Sequence, residues 1–299
     1  MPFVGFVTDS ASRGFCSRYV RMHAMHIRCL INGAPGDRIA ITDRGLQYGD
    51  GVFETLAVRD GRCEFWDRHL QRLTRGCEAL RLPAPRPDQL GEEAGSLVRD
   101  VRQGVLKIIV TRGSGGRGYR PSREAVPTRI LMLSEWPVYP DDWHESGVAV
   151  RLCEQRLGSQ PALAGIKHLN RLEQVLARME WDDTDIAEGL LCDQQGHVIE
   201  GVSTNLFSVR AGRLRTPSLE HCGVAGVMRA VVMDLARDAE IACDVTPIDG
   251  DALGEADEIF LTNSLIGIWP VRRLDAWERT PGPITRRLQA ALDALRSRP

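Results

Sequence analysis

The sequence predicts an α+β fold in two domains, and three observations point to it. Strand-like and helix-like segments are mixed without the regular strand–helix–strand alternation of a doubly wound sheet. A proline-stiffened stretch, Trp136-Pro137-Val138-Tyr139-Pro140, interrupts the pattern near its middle. The 299 residues also suffice for two domains of ordinary size. Residues 25–135 are assigned to a smaller N-terminal domain, 136–146 to a linker and 147–299 to a larger C-terminal domain. Residues 1–24 fit neither. No basic stretch precedes their short apolar run, which argues against a secretory signal. They are expected to be a poorly ordered extension, or the product of a start codon assigned too early.

Composition narrows the function classes. Apolar and charged fractions of 43% and 26% are those of a soluble globular enzyme. A net charge of −2 gives no general pull toward nucleic acid or an anionic membrane. No apolar run approaches the roughly 18 residues that span a bilayer. The eight cysteines form no C-x-x-C pair, so a local zinc motif is not expected, and reduced thiols in the cytoplasm are.

From Ile27 the pattern is β-rich. Ile27–Ile31 reads as a strand closed by the turn signal Asn32-Gly33, and Ile39–Ile41 continues the pattern. Thr42–Gly51 is a glycine-dense loop, read either as backbone held close to something or as tight turns. It leads into the strand Val52–Val58. Trp66, Leu70, Leu73, Cys77 and Leu80 recur at helical spacing, with Arg68, Arg72 and Arg75 off the stripe. A second helix is expected over about 88–102, then strands at Val105–Val110 and Arg129–Ser134. Between those strands, Thr111–Tyr119 carries four glycines with Arg112 and Arg117. It suits anion binding, or is a flexible hairpin tip.

Beyond the linker, Gly147–Cys153 reads as a strand. A helix over Leu169–Met179 is expected to turn Leu169, Leu172, Val175 or Leu176, and Met179 inward. Two hairpins follow, about Gly196 and about Ala211-Gly212. Gly223–Gly226 opens a helix over Val227–Ala239 with Val227, Ala230, Val231 and Leu235 inward. Ala256–Leu261 is a strand running to Thr262-Asn263-Ser264, and a closing helix carries Ile284, Leu288, Ala291, Leu292 and Leu295.

The chemistry centres on Lys167. A lysine that attacks a carbonyl must be neutral, which partial burial favours, and Ile166 and Leu169 flank it. Taken alone, a lysine beginning a helix is usually just solvent-facing. A set of ordered motifs decides. Asp43-Arg44-Gly45, Gly49-Asp50-Gly51-Val52-Phe53-Glu54, Arg68–Leu73, Lys167, Glu200-Gly201 with Asn205-Leu206-Phe207, Gly223–Arg229 and Thr262-Asn263-Ser264 together resemble the fold-type IV pyridoxal-phosphate family. That family holds branched-chain aminotransferases, D-amino-acid aminotransferases and 4-amino-4-deoxychorismate lyases.

The resemblance implies a small N-terminal α/β domain, a C-terminal domain with a β-barrel-like core, and pyridoxal 5′-phosphate as cofactor. It further implies that Lys167 carries the cofactor as a Schiff base and moves the proton. Glu200 would pair with the ring nitrogen. Arg72, Ser264 and the backbone N–H groups of Val227 and Met228 would hold the phosphate, the last two at a helix N-terminus. Asn205 would lie beside the cofactor. Glu54 receives no role. Thr111–Tyr119 and Ala164–Leu176 resemble the family's lyases most. These form 4-aminobenzoate and pyruvate for folate biosynthesis, with an aminotransferase as the alternative. The dicarboxylate substrate would meet Arg117, Arg171 or Arg112, in that order of preference. Arg171 is placed one helical turn from Lys167, or else pairs with Glu173. A homodimer is expected, with no metal, nucleic acid or membrane partner.

Overall fold

The computed structural model describes residues 28–297; the expectations for residues 1–24 fall outside them. β1 (Arg28–Ile31) and β2 (Ala34–Pro35) form the hairpin that Asn32-Gly33 predicts. Ile39–Ile41 is not a strand, and Ile41 stands exposed. The glycine-dense loop contains a short helix, α1 (Arg44–Tyr48). Asp43 caps it by accepting from the Gly45 N–H, and Gly49 ends it at φ 65°, where glycine is favoured.

β3 (Gly51–Arg59), β4 (Arg62–Cys63), α2 (Trp66–Ala79), α3 (Pro87–Val98), β5 (Gln103–Thr111) and β6 (Thr128–Ser134) complete this half. Its six strands run in the order β2-β1-β6-β5-β3-β4, each pair antiparallel. Alternation along β3 puts Val52, Leu56 and Val58 in one core with Leu70, Leu73 and Cys77 of α2 and Leu90 of α3. Glu54 shares that buried face.

Just past β5, Arg112 spans both oxygens of Asp50 at 2.8 and 2.9 Å. It also donates to the carbonyls of Leu80 and Arg81 at the end of α2. Arg44 binds the same carboxylate from the other side at 2.9 Å. Arg112 is therefore a structural clamp and not the substrate-binding residue expected, because four of its five N–H donors are spent on Asp50 and on a helix end and it does not line the cavity described below.

In the second half, α4 (Trp143–Ser146) falls within the stretch read as a linker. The Tyr139 and Trp143 rings pack edge-on against Trp269 at 4.8 and 4.9 Å, so this stretch is part of a core. β7 (Val148–Leu157), α5 (Leu172–Arg178), β8 (Ile186–Asp193), β9 (Val198–Gly201), β10 (Asn205–Arg210) and β11 (Arg213–Thr216) follow. Then come α6 (Val227–Asp238), β12 (Cys243–Val245), α7 (Gly250–Gly254), β13 (Glu258–Asn263), β14 (Gly267–Leu274), β15 (Trp277–Glu278) and α8 (Pro283–Arg296).

Strand pairing runs β10-β13-β14-β7-β8-β9 and returns from β9 to β10, closing a six-stranded barrel. The closing pair is Glu200 opposite Asn205. Thr262 stands opposite Asn205 on the other side, so three polar residues share one end of the barrel. Phe207 and Phe260 stack at 5.0 Å under α6 and α8.

Two helices differ from their expected pattern. α5 begins only at Leu172, and Leu172, Val175, Leu176 and Met179 lie on its outer side, 51–75% exposed. Its buried residues are Gln174 and Ala177, so the apolar row is not what holds it. α6 buries Val227, Met228, Val231, Val232 and Ala236, while Ala230 is exposed. Its inward face is rotated toward Met228 because it packs against both the barrel strands and α8.

Arg112→Ala should lower the unfolding free energy by about 2–3 kcal/mol, since it leaves Asp50 and two carbonyls short of donors. Urea unfolding measures this. A loss below about 0.5 kcal/mol, the range of an ordinary surface substitution, would contradict the clamp.

Candidate active site

The site is a cavity of about 620 Å³ where the first sheet meets the closed end of the barrel. Lys167 reaches it from an extended segment and not from a helix. The Phe53 N–H donates to the Lys167 carbonyl at 2.9 Å, and the Leu169 N–H donates to the Gly51 carbonyl at 3.0 Å. These bonds lay residues 167–169 along β3 as a short antiparallel bridge. On its other side, Gly165 exchanges backbone bonds with Gly223 and Ala225 at 2.9 and 3.0 Å. The lysine is thus pinned between β3 and the turn that opens α6.

Its Nζ lies 4.4 Å from the centre of the Phe53 ring, and no salt bridge engages it among the described residues. Burial and the neighbouring Arg72 guanidinium push its pKa down to about 8 against the opposing pull of Glu54. About a tenth of the amine is therefore neutral at pH 7 and about half at pH 8, far more than for an ordinary lysine. The chain carries only two lysines, and the other, Lys107, points its Nζ at the same ring from 5.0 Å.

Glu200 faces the cavity from the barrel closure. Its Oε2 accepts from the Val224 N–H at 2.8 Å. Burial lifts the carboxyl to about 7 although that N–H, Arg171 and Lys167 all oppose the rise. A carboxyl poised this way takes or shares a proton with a basic ring nitrogen without leaving an isolated buried charge.

Arg171 also lines the cavity. It stands at the N-cap of α5, outside any helical turn shared with Lys167. Its guanidinium donates to the carbonyls of His168 and Ile166 at 2.8 and 3.2 Å, the two residues flanking Lys167. It does not pair with Glu173, whose carboxylate instead receives the Gly158 N–H. Arg117 is exposed on its loop and does not line this cavity, so its expected contact with substrate is not made within the chain.

Where α6 begins, the cavity gathers donors that suit an anion. Gly226 begins α6 without a side-chain cap, so the first N–H groups, those of Val227 and Met228, are left for a ligand. A Cβ at position 226 would sit 1.9 Å from Asn205 Oδ1, so only glycine allows this approach. Asn205 in turn holds the turn by donating to the Val224 carbonyl at 2.9 Å. Arg72 uses Nε and one donor on each terminal nitrogen for Glu54 and the Ala225 carbonyl. Donors on both terminal nitrogens remain for the cavity. Ser264, past the end of β13, completes the cradle. Among the residues that line this cavity are N–H and O–H donors suited to a phosphate, a carboxyl suited to a basic ring nitrogen and an amine suited to an aldehyde, so the set is compatible with pyridoxal 5′-phosphate.

Two residues behind the cradle went unassigned in the sequence. Glu54 is fully buried and binds Arg72 through both oxygens and His69 Nδ1 at 2.6 Å. Burial alone would raise its pKa, but the charge and bonds of Arg72 and the His69 bond hold it at about 2. The signal was legible: period-2 alternation puts Glu54 on the same face as Val52 and Leu56, and a carboxylate there demands a buried cation.

Gly226→Ala should weaken binding of a small dianion such as sulfate to the cofactor-free protein by about tenfold or more, the cost of displacing Asn205. Unchanged affinity by calorimetric titration would remove Gly226 from the cradle.

Known proteins bear on this geometry. Residues 51–274 match the family model for amino-transferase class IV. An aminodeoxychorismate lyase of Vibrio harveyi is 38% identical over 88% of this chain and 98% of its own. The crystal structure of 4-amino-4-deoxychorismate lyase from Pseudomonas aeruginosa superposes with a TM-score of 0.86 at 47% identity, covering 89% of this chain and 98% of that one. A putative branched-chain-amino-acid aminotransferase of Methanocaldococcus jannaschii is 30% identical over 87% of this chain and 92% of its own. With a matching model over most of its length and the cavity placed inside the matched region, the chain belongs to the amino-transferase class IV family.

Proposed function

We propose that this chain is a pyridoxal-phosphate-dependent lyase that converts 4-amino-4-deoxychorismate into 4-aminobenzoate and pyruvate, a cytoplasmic step toward folate. The observation that carries the reading is Lys167, a buried amine with its pKa lowered to about 8, beside Glu200 and the N–H donors that open α6. The similarity to two proteins named as this lyase, one at 47% identity, favours it over transamination.

The cofactor's phosphate would be held by Arg72, Ser264 and the Val227 and Met228 N–H groups, its ring nitrogen by Glu200 and its aldehyde carbon by Lys167. When bound, it supplies an electron sink next to the substrate's amine-bearing carbon. Lys167 Nζ accepts the proton from C4 of the substrate ring. The enolpyruvyl group leaves from C3 and is protonated to pyruvate, and the ring becomes aromatic. Glu200 keeps a proton at the ring nitrogen. Arg171 holds the turn that aims Lys167 and presents positive charge to a substrate carboxylate. We place the active unit as a homodimer, a reading supported by the exposed apolar row of α5 at the cavity rim.

A coupled pyruvate assay on enzymatically made aminodeoxychorismate should show turnover, and Lys167→Ala should reduce it by about 10³-fold or more. Alanine with 2-oxoglutarate should give little reaction. Efficient transamination without pyruvate release from aminodeoxychorismate would favour the aminotransferase.

A further inference from the structure

His69 sits behind the anion cradle, 1% exposed, with both ring nitrogens engaged. Nδ1 is 2.6 Å from Glu54 Oε2 and Nε2 is 3.3 Å from Ser264 Oγ. Glu54 is ionised, so it can only accept, and Nδ1 carries the ring hydrogen. Burial, with Arg72 and Lys167 nearby, holds the imidazole below its ordinary range against the pull of Glu54. With no anion bound, His69 is therefore neutral with a bare Nε2, and the Ser264 hydroxyl donates its single proton to that nitrogen.

This arrangement conflicts with binding a dianion. The Ser264 hydroxyl has one proton and two claimants, and an anionic oxygen is the stronger acceptor. If the hydroxyl turns to the anion, lone pairs of Ser264 Oγ and His69 Nε2 face each other in a buried place. A proton on Nε2 resolves the clash. The anion also offsets Arg72 and Lys167, the cations that keep His69 neutral. Facing His69 are Glu54 from β3, Arg72 from α2, Lys167 from across the cavity and the Ser264 hydroxyl.

We infer that His69 is a proton-linked positioning residue of the cradle: dianion binding turns the Ser264 hydroxyl to the anion, and one proton from solvent comes to rest on His69 Nε2. Glu54 then faces two cations, Arg72 and the imidazolium, and fixes both. The inference rests on the cradle being an anion site, as the proposed function requires. Since binding raises the pKa of His69, affinity should rise as pH falls through the bound-state value and level off below the free-state value.

The test uses the full chain freed of cofactor and titrated calorimetrically with sulfate, which stays a dianion across this range. Buffers of different ionisation enthalpy give the protons taken up. Lys167 and Glu200 also titrate nearby, so the comparison is with H69Q and S264A, which share them. Wild type should take up about one proton more than either variant, and its affinity should change with pH by up to roughly tenfold per unit more steeply. Equal proton counts would overturn the relay while leaving the anion cradle standing. No sulfate binding to wild type would overturn the cradle and the relay with it. Should H69Q not fold, ¹⁵N resonances of the wild-type imidazole decide. Nε2 passing from bare to protonated as sulfate is added supports the relay, and Nε2 staying bare overturns it.

Discussion

Everything in the site hangs on the short bridge that lays Lys167 along β3. Two backbone hydrogen bonds join residues 167 and 169 to Phe53 and Gly51, and two more join Gly165 to the Gly223–Ala225 turn. That turn is itself held on three sides, by Glu200 through Val224 N–H, by Asn205 through Val224 C=O and by Arg72 through Ala225 C=O. Lysine, ring-nitrogen partner and anion cradle are therefore positioned by one continuous backbone network. Side-chain reach alone would leave Lys167 many rotamers. The network fixes where its Cα starts and leaves only the Nζ end to face the cavity.

The second constraint is electrostatic. Lys167, Arg72 and Arg171 bring three cationic side chains to one cavity, and Glu54 and Glu200 are the anions that face them. Glu54 is already spent on Arg72 and His69, and burial keeps Glu200 near neutrality. The cavity thus gathers more cationic than anionic side chains, and the uncapped N–H groups of α6 open onto it. A site of this kind favours an anion. Burial first, then the Arg72 charge, lowers the pKa of Lys167 and frees a share of the amine for covalent chemistry.

Much of this was readable from residues. The hairpins, α2, every barrel strand but β14 and the Gly226 helix start follow from periodicity and turn chemistry, and Lys167, Glu200 and Arg72, singled out by ordered motifs, line one cavity. What escaped was tertiary. Arg112 and Arg117 sit in one glycine-dense loop, but Asp50, distant in sequence, draws only Arg112 inward. The row Leu172, Val175, Leu176, Met179 has perfect helical spacing yet lies outward, because amphipathic spacing cannot say which side meets the protein. Two cues were present and unused: Glu54 on an apolar strand face, and a chain with just two lysines.

Those two lysines flank one phenyl ring at 4.4 and 5.0 Å, which makes the central assignment unusually simple to test. Borohydride reduction of the protein loaded with pyridoxal 5′-phosphate, followed by peptide mapping, locates the covalent attachment. The backbone bridge predicts the reduced pyridoxyl group on the peptide containing Lys167 and none on that containing Lys107. Attachment at Lys107, or at neither lysine, would contradict the placement of the reactive amine.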